Sequence, residues 1–191
     1  AARWLEELSI YGHSFESSYY PFFTYLQSLF VLPFWLTGLS RPAAEVALPL
    51  TIWELLPVKL LLLTAHLTGY GMMLILNKGW NPAIRWLFAF NPMVLLVSFI
   101  IAQTDEILVP LLLAILILDA RKPAFWTDAG IGLLLGLSAS IKVWPVLILP
   151  FLLVQRKDHL WRIAALLAGF LGAAAINLAY FIGAPEGLGV L

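Results

Sequence analysis

The run Ala102-Gln103-Thr104-Asp105-Glu106 sets an amide and two carboxylates side by side in a short polar turn between two apolar stretches. A carboxylate in that setting can act as general base toward an attacking hydroxyl, and the amide offers a hydrogen-bond donor. Lys142 stands alone between Ser138-Ala139-Ser140-Ile141 and Val143-Trp144-Pro145. An ammonium there can hold a phosphate as a point charge, and facing Asp105 would supply it with a partner. The plain alternative is a solvated turn in which Asp105 or Glu106 caps the next helix, worth about 1 kcal/mol, with Lys142 snorkelling to the interface. His13 and Glu16 are three residues apart and share a helical face, but one His with one Glu makes a weak metal site and no metal is expected from it. Tyr19 and Tyr20 suit interface anchors. His66, with Thr64, Thr68 and Tyr70 nearby, reads as a neutral imidazole bonded inside a bundle.

The elements that must position these groups follow from composition. Of 191 residues, 62% are hydrophobic and 12% charged, with a mean hydropathy of +0.93. Soluble domains run at about 45–50% apolar and about 25% charged, so this is the composition of an integral membrane protein. Lys plus Arg equals Asp plus Glu at 11 each, which leaves no basic surplus for nucleic acid. The absence of Cys excludes disulfides and thiolate metal sites. Six apolar runs follow residue 56: 57–76, 84–102 (interrupted at Asn91-Pro92), 107–118, 129–141, 143–154 and 160–182. Thr127 and Asp128 read as the N-cap of the fourth. Gly132-Leu133-Leu134-Leu135-Gly136 reads as a helix-packing pattern. If the six runs alternate, Lys78, Arg85, Arg121, Lys122, Arg156, Lys157 and Arg162 share one side, and Arg3, Arg41, Lys59 and Lys142 the other. The basic majority marks the cytoplasmic face. The residues of interest then lie on the outer face. The aromatic, Pro-containing stretch 21–39 is expected to be interfacial or re-entrant.

Four stretches, in order, resemble the GT-C superfamily of integral-membrane glycosyltransferases, in the branch that takes mannose or glucose from polyprenyl or dolichyl phosphate. Ala2-Arg3-Trp4-Leu5-Glu6-Glu7-Leu8 resembles the helix after the first outer-loop catalytic Asp. Tyr20-Pro21-Phe22-Phe23-Thr24-Tyr25-Leu26 resembles the Y-P-P loop stretch. Asn91-Pro92 with Ala102-Gln103-Thr104-Asp105 resembles N-P…G-Q-x-D, and Gly136 through Lys142 to Pro145 and Pro150 resembles G-x-x-x-x-x-K-x-x-P…P. Phe22 replaces the family's second Pro, Ala102 its Gly, and His66 stands about where relatives often carry Asp.

The resemblance implies an all-α, polytopic transmembrane helix bundle of about six spans with an interfacial helical outer loop. Its divisions are 1–56 (outer loop), 57–184 (bundle) and 185–191 (start of a further loop). It implies inverting transfer of a hexose from a polyprenyl-phosphate donor to a hydroxyl of a glycan, glycolipid or protein. Lys142 would hold the donor phosphate, Gln103 and Asp105 the sugar or acceptor, with Glu106 as second carboxylate. Tyr20 would shape the loop, with His13 or Glu16 as further contacts. Some relatives use a divalent metal; nothing in the residues demands one. Both ends read as cut, the principal catalytic Asp is expected just before Ala1, and this stretch alone is expected to be inactive. No Asn-x-Ser/Thr sequon occurs, which favours a prokaryotic plasma membrane over the endoplasmic reticulum. The competing readings are a secondary transporter, disfavoured because the charges gather at one face rather than at mid-membrane, and a non-catalytic membrane subunit.

Overall fold

The structure is a computed structural model, and it describes residues 21–39, 52–76, 81–92, 96 and 105–183. The expected roles of His13, Glu16, Tyr20 and Gln103 fall outside these residues. The described residues form helices and turns with no strand, as the apolar runs require. In lipid a helix satisfies every backbone polar group within its own segment.

Seven α-helices are described: α1 (Pro21–Leu36), α2 (Ile52–Leu76), α3 (Pro82–Ala89), α4 (Asp105–Asp119), α5 (Phe125–Ala139), α6 (Leu149–Gln155) and α7 (Leu160–Gly183), with a 3-10 segment, Trp144–Ile148, before α6. The chain divides into two compact units, Ala1–Leu61 with Ile176–Leu191, and Leu62–Ala175.

In the first unit, α1 carries Pro33 and stops one turn later. Gly38 takes φ of +71° and Leu39 N–H donates to the Phe34 carbonyl at 2.9 Å, a left-handed glycine stop. The Thr37 hydroxyl donates to the Pro33 carbonyl at 2.9 Å, satisfying a second terminal acceptor. At 16 residues α1 rises roughly 24 Å, less than the roughly 30 Å of a bilayer core.

The second unit holds the core. Ile115 of α4, Ile131 and Leu135 of α5, Leu152 of α6 and Leu166 of α7 form one buried cluster. α4 packs along α5, and the 3-10 segment packs on both α5 and α6. The outside is apolar as well: Leu116, Trp126, Leu147, Phe151, Val154 and Leu160 are all exposed. Apolar groups on both sides of a helix suit lipid and not water. Leu56–Leu76 is long and apolar enough to cross a bilayer. α4 and α5 have 15 residues each, a rise of roughly 22 Å. Among the described residues, length and composition together support one crossing directly, and the count of six rests on the apolar runs of the sequence.

Glycines set the closest packing. A Cβ on Gly132 would collide with the Leu166 carbonyl oxygen, one on Gly169 with the Ala129 carbonyl oxygen, and one on Gly136 would fall 2.5 Å from Ala173 Cβ. α5 and α7 thus run in the same direction and touch backbone to backbone, the packing role expected of Gly132 and Gly136.

α3 begins as local rules dictate, with Pro82 in its first turn and the Asn81 side chain accepting from Ala83 N–H at 2.9 Å. It ends earlier than the run 84–102 suggests. Pro92 has no N–H and disfavours helical backbone at Asn91, and the helix closes at Ala89 with Phe90 as its cap. A second correction concerns Asp128. The residue before α5 is Ala124, with no side-chain cap, and Asp128 lies inside the helix, fully buried. Because Pro123 precedes the helix, α5 starts three residues ahead of Asp128, and the carboxylate turns inward to a different task.

Candidate active site

α4 and α5 form an antiparallel pair, so the start of α4 and the residues just after α5 meet at one end. Asp105 opens α4, where a carboxylate is favoured by the helix dipole. α5 finishes in a tight turn in which Ser138 O accepts from the backbone N–H of both Ile141 and Lys142. The hydroxyls of Ser138 and Ser140 are tied back to the carbonyls of Leu134 and Gly136 at 2.8 Å each. Lys142 leaves this turn beside exposed Val143 and Trp144. Its Nζ stands 3.5 Å from Asp105 Oδ1, with the two side chains 34% and 45% exposed. This partly open ion pair is the juxtaposition that alternation of the helices requires.

Glu106 points the other way. Its side chain is buried, and Oε1 lies 2.6 Å from Nδ1 of His66, also buried. His66 Nε2 lies 3.1 Å from the Ala89 carbonyl oxygen. The histidine thereby ties α2 to the end of α3. The ring also stacks on Phe88, centroids 5.8 Å apart. Gly69 allows the contact: one turn beyond His66, a Cβ there would already meet Val109 Cγ1 at 3.2 Å and Pro110 Cδ at 3.8 Å. The expectation of an imidazole bonded within the bundle fits this geometry. His66 sits at the middle of Leu56–Leu76, beside Glu106 in the first turn of α4. The pairing spans 40 residues and left no signal in the sequence beyond the improbability of a histidine in an apolar run.

A second polar centre, absent from the sequence reading, lies at the far end of α4 and α5. Arg156, fully buried, donates from Nε to Asp128 Oδ1 at 2.6 Å and from Nη2 to Asp119 Oδ1 at 2.5 Å. Arg162 donates from Nε to Asp128 Oδ2 at 2.8 Å. Asp128 precedes the apolar run 129–141 and stands beside the basic residues Arg121 and Lys122 in sequence. Burial pushes its carboxyl up, but hydrogen bonds and charge from Arg162 and Arg156 outweigh it and hold the group below its ordinary value. The sequence did carry a hint, two acids placed among basic residues at the ends of apolar runs.

Among the described residues no three His, Asp or Glu side chains come together as a metal site. The family model of glycosyltransferase family 87 matches residues 19–186 of the 191. The chain belongs to glycosyltransferase family 87. Family 87 consists of membrane glycosyltransferases, so the molecule is membrane-associated and works on a sugar donor and an acceptor. The match agrees with the GT-C resemblance at the level of the transferase class. No curated protein and no solved structure matches the chain.

Proposed function

We propose that this family 87 protein transfers a hexose, mannose or glucose, from a polyprenyl-phosphate carrier to an acceptor hydroxyl on the outer or lumenal face, with inversion at the anomeric carbon. The observation that carries this reading is the half-open Asp105–Lys142 pair, set at the end of α4 and α5 away from the basic residues that mark the cytoplasmic side. The donor phosphodiester bears one negative charge, as a carboxylate does, and can take the place of Asp105 at Lys142; as the bond to the sugar breaks, the phosphate departs as a monoester of higher charge, which Lys142 neutralises. Asp105, released from Lys142, faces the sugar or the incoming hydroxyl and accepts hydrogen bonds from it. The resemblance assigns Gln103 to the same contact, and Tyr20, His13 and Glu16 to substrate binding. The apolar exterior of the helices lets a lipid carrier bring its phosphate in from the side, so no nucleotide pocket is required. The chain crosses the membrane about six times in this reading, within a prokaryotic plasma membrane, and a divalent metal of the kind some relatives use is not demanded by its residues.

Family membership favours this over a transporter. The test uses the protein in its own membranes with labelled polyprenyl-phosphate mannose or glucose. Lys142→Ala and Asp105→Asn each lower transfer by about 100-fold or more, on the order of 2.7 kcal/mol in the barrier. Transfer at the parent rate by both variants overturns the assignment.

A further inference from the structure

We infer that His66 and Glu106 hold one proton in common and act as positioning residues, so that of the two adjacent carboxylates Asp105 alone is open to substrate. The argument begins with the Ala89 carbonyl. A carbonyl oxygen only accepts, so at 3.1 Å His66 Nε2 must carry a hydrogen and donate it. Nδ1 then lies 2.6 Å from Glu106 Oε1, a separation at which two bare lone pairs repel and a hydrogen must lie between them. Two placements satisfy both contacts: an imidazolium beside a carboxylate, or an imidazole accepting from a carboxylic acid. In each the pair holds the same number of protons and has no net charge. That makes its burial at the middle of an apolar helix tolerable, where a lone carboxylate would be costly.

The consequence is a division of labour between neighbours in sequence. Glu106 is committed to His66, and its side chain is buried, while that of Asp105 is 45% exposed. The pair joins three elements at one point: α2 through His66, the end of α3 through Ala89, and the first turn of α4 through Glu106. It thereby fixes the backbone from which Asp105 reaches Lys142. The chemistry at Asp105 rests on the proposed transferase reading; the hydrogen-bond geometry does not.

The experiment separates the two. Glu106→Gln, Glu106→Ala, His66→Ala and Asp105→Asn are prepared in detergent for thermal unfolding and in membranes for sugar transfer. In Glu106→Gln the new side-chain amide can donate a hydrogen to Nδ1 while Nε2 still donates to Ala89, so the contact is rescued. Glu106→Ala and His66→Ala leave a buried partner unmatched and lower the unfolding midpoint by about 4–8 °C, with Glu106→Gln recovering most of that loss. Transfer by Glu106→Gln exceeds that by Glu106→Ala at least about tenfold, whereas Asp105→Asn loses transfer without a change in midpoint. If Glu106→Gln melts as low as Glu106→Ala, the shared hydrogen is refuted whatever the activity. If it melts like the parent yet loses transfer as Asp105→Asn does, Glu106 meets the substrate and the division of labour is overturned. If the melting order holds but Asp105→Asn transfers normally, the transferase assignment of Asp105 fails and the pair stands.

Discussion

Replacing Asp128 with alanine tests whether the charges at the Lys122 end of the helices hold the second unit together. Asp128 is fully buried and accepts from Arg156 Nε at 2.6 Å, Arg162 Nε at 2.8 Å and Arg162 Nη2 at 3.1 Å. Without it, Arg156 keeps the Asp119 carboxylate as its one acidic partner, with its Nη1 contacts to the Leu152 carbonyl and the Gln155 side chain, while Arg162, 18% exposed, can turn to water. Breaking a buried pair from one side costs about 3–5 kcal/mol. The surviving Asp119 contact and the exposure of Arg162 place this site at the low end, about 3 kcal/mol. For a chain of this size the unfolding midpoint should fall by about 6–12 °C, read in detergent from tryptophan fluorescence. Asp119→Ala, whose carboxylate is 26% exposed, should cost about 1 kcal/mol or less. Adding Arg156→Met to Asp128→Ala removes the stranded cation and should restore part of the loss. A midpoint for Asp128→Ala within about 2 °C of the parent refutes the reasoning, and so does a double variant that loses the full sum of both single effects.

Other outcomes follow from the same geometry. Gly132→Ala drives a methyl into the Leu166 carbonyl and should lower the midpoint by several degrees, overpacking costing about 1–3 kcal/mol. Gly71→Ala, with nothing within 4 Å, should instead raise it, since alanine in a helix gains about 0.5–1 kcal/mol over glycine. Equal midpoints for the two would contradict the packing described. Because the folded Asp128 carboxyl is held below its ordinary value, its contribution to stability is present above the unfolded value and lost as pH falls through the folded one. The midpoint difference between the parent and Asp128→Asn should therefore be flat from about pH 8 to 5 and shrink below about pH 4. The chain has no native cysteine, so single cysteines at Val143 and Lys122, past opposite ends of α5, should react with an impermeant thiol reagent from opposite sides of the membrane. Labelling of both from one side would refute a membrane-crossing α5.

The long helix α2 was legible because about twenty apolar residues in a row admit one structure in lipid. The meeting of Asp105 and Lys142 was legible for a topological reason: two successive helices of equal length return the chain to the side it left. The crossing glycines were legible as a spacing, although the spacing did not reveal that α7 was the partner. What the sequence concealed depends on where helices stop. The end of α3 at Ala89 precedes the Asn91-Pro92 mark, because proline acts on the residues before it. Asp128 resembled a cap because it adjoins an apolar run, yet the helix starts after Pro123 and carries the carboxylate past the capping position. Burial of a charge is decided by arginines 28 and 34 residues away, which local patterns do not report. His13, Glu16, Tyr20 and Gln103 stay with the sequence reading, outside the described residues.

The close crossing of α5 and α7 has a mechanical meaning. Where side chains separate two helices, rotamer changes let the helices slide; where a glycine faces a carbonyl, there is nothing soft between them. Residues 129–136 of α5 and 166–173 of α7 therefore behave as one stiff spar. Lys142 is mounted just beyond its end, so its ammonium is a fixed post. Asp105 is mounted on α4, which is tied through Glu106 to His66 of α2 and packed along α5 by side chains. In the proposed reaction the side that yields when a substrate parts Asp105 from Lys142 is therefore α4, whose contacts can repack, and not the spar.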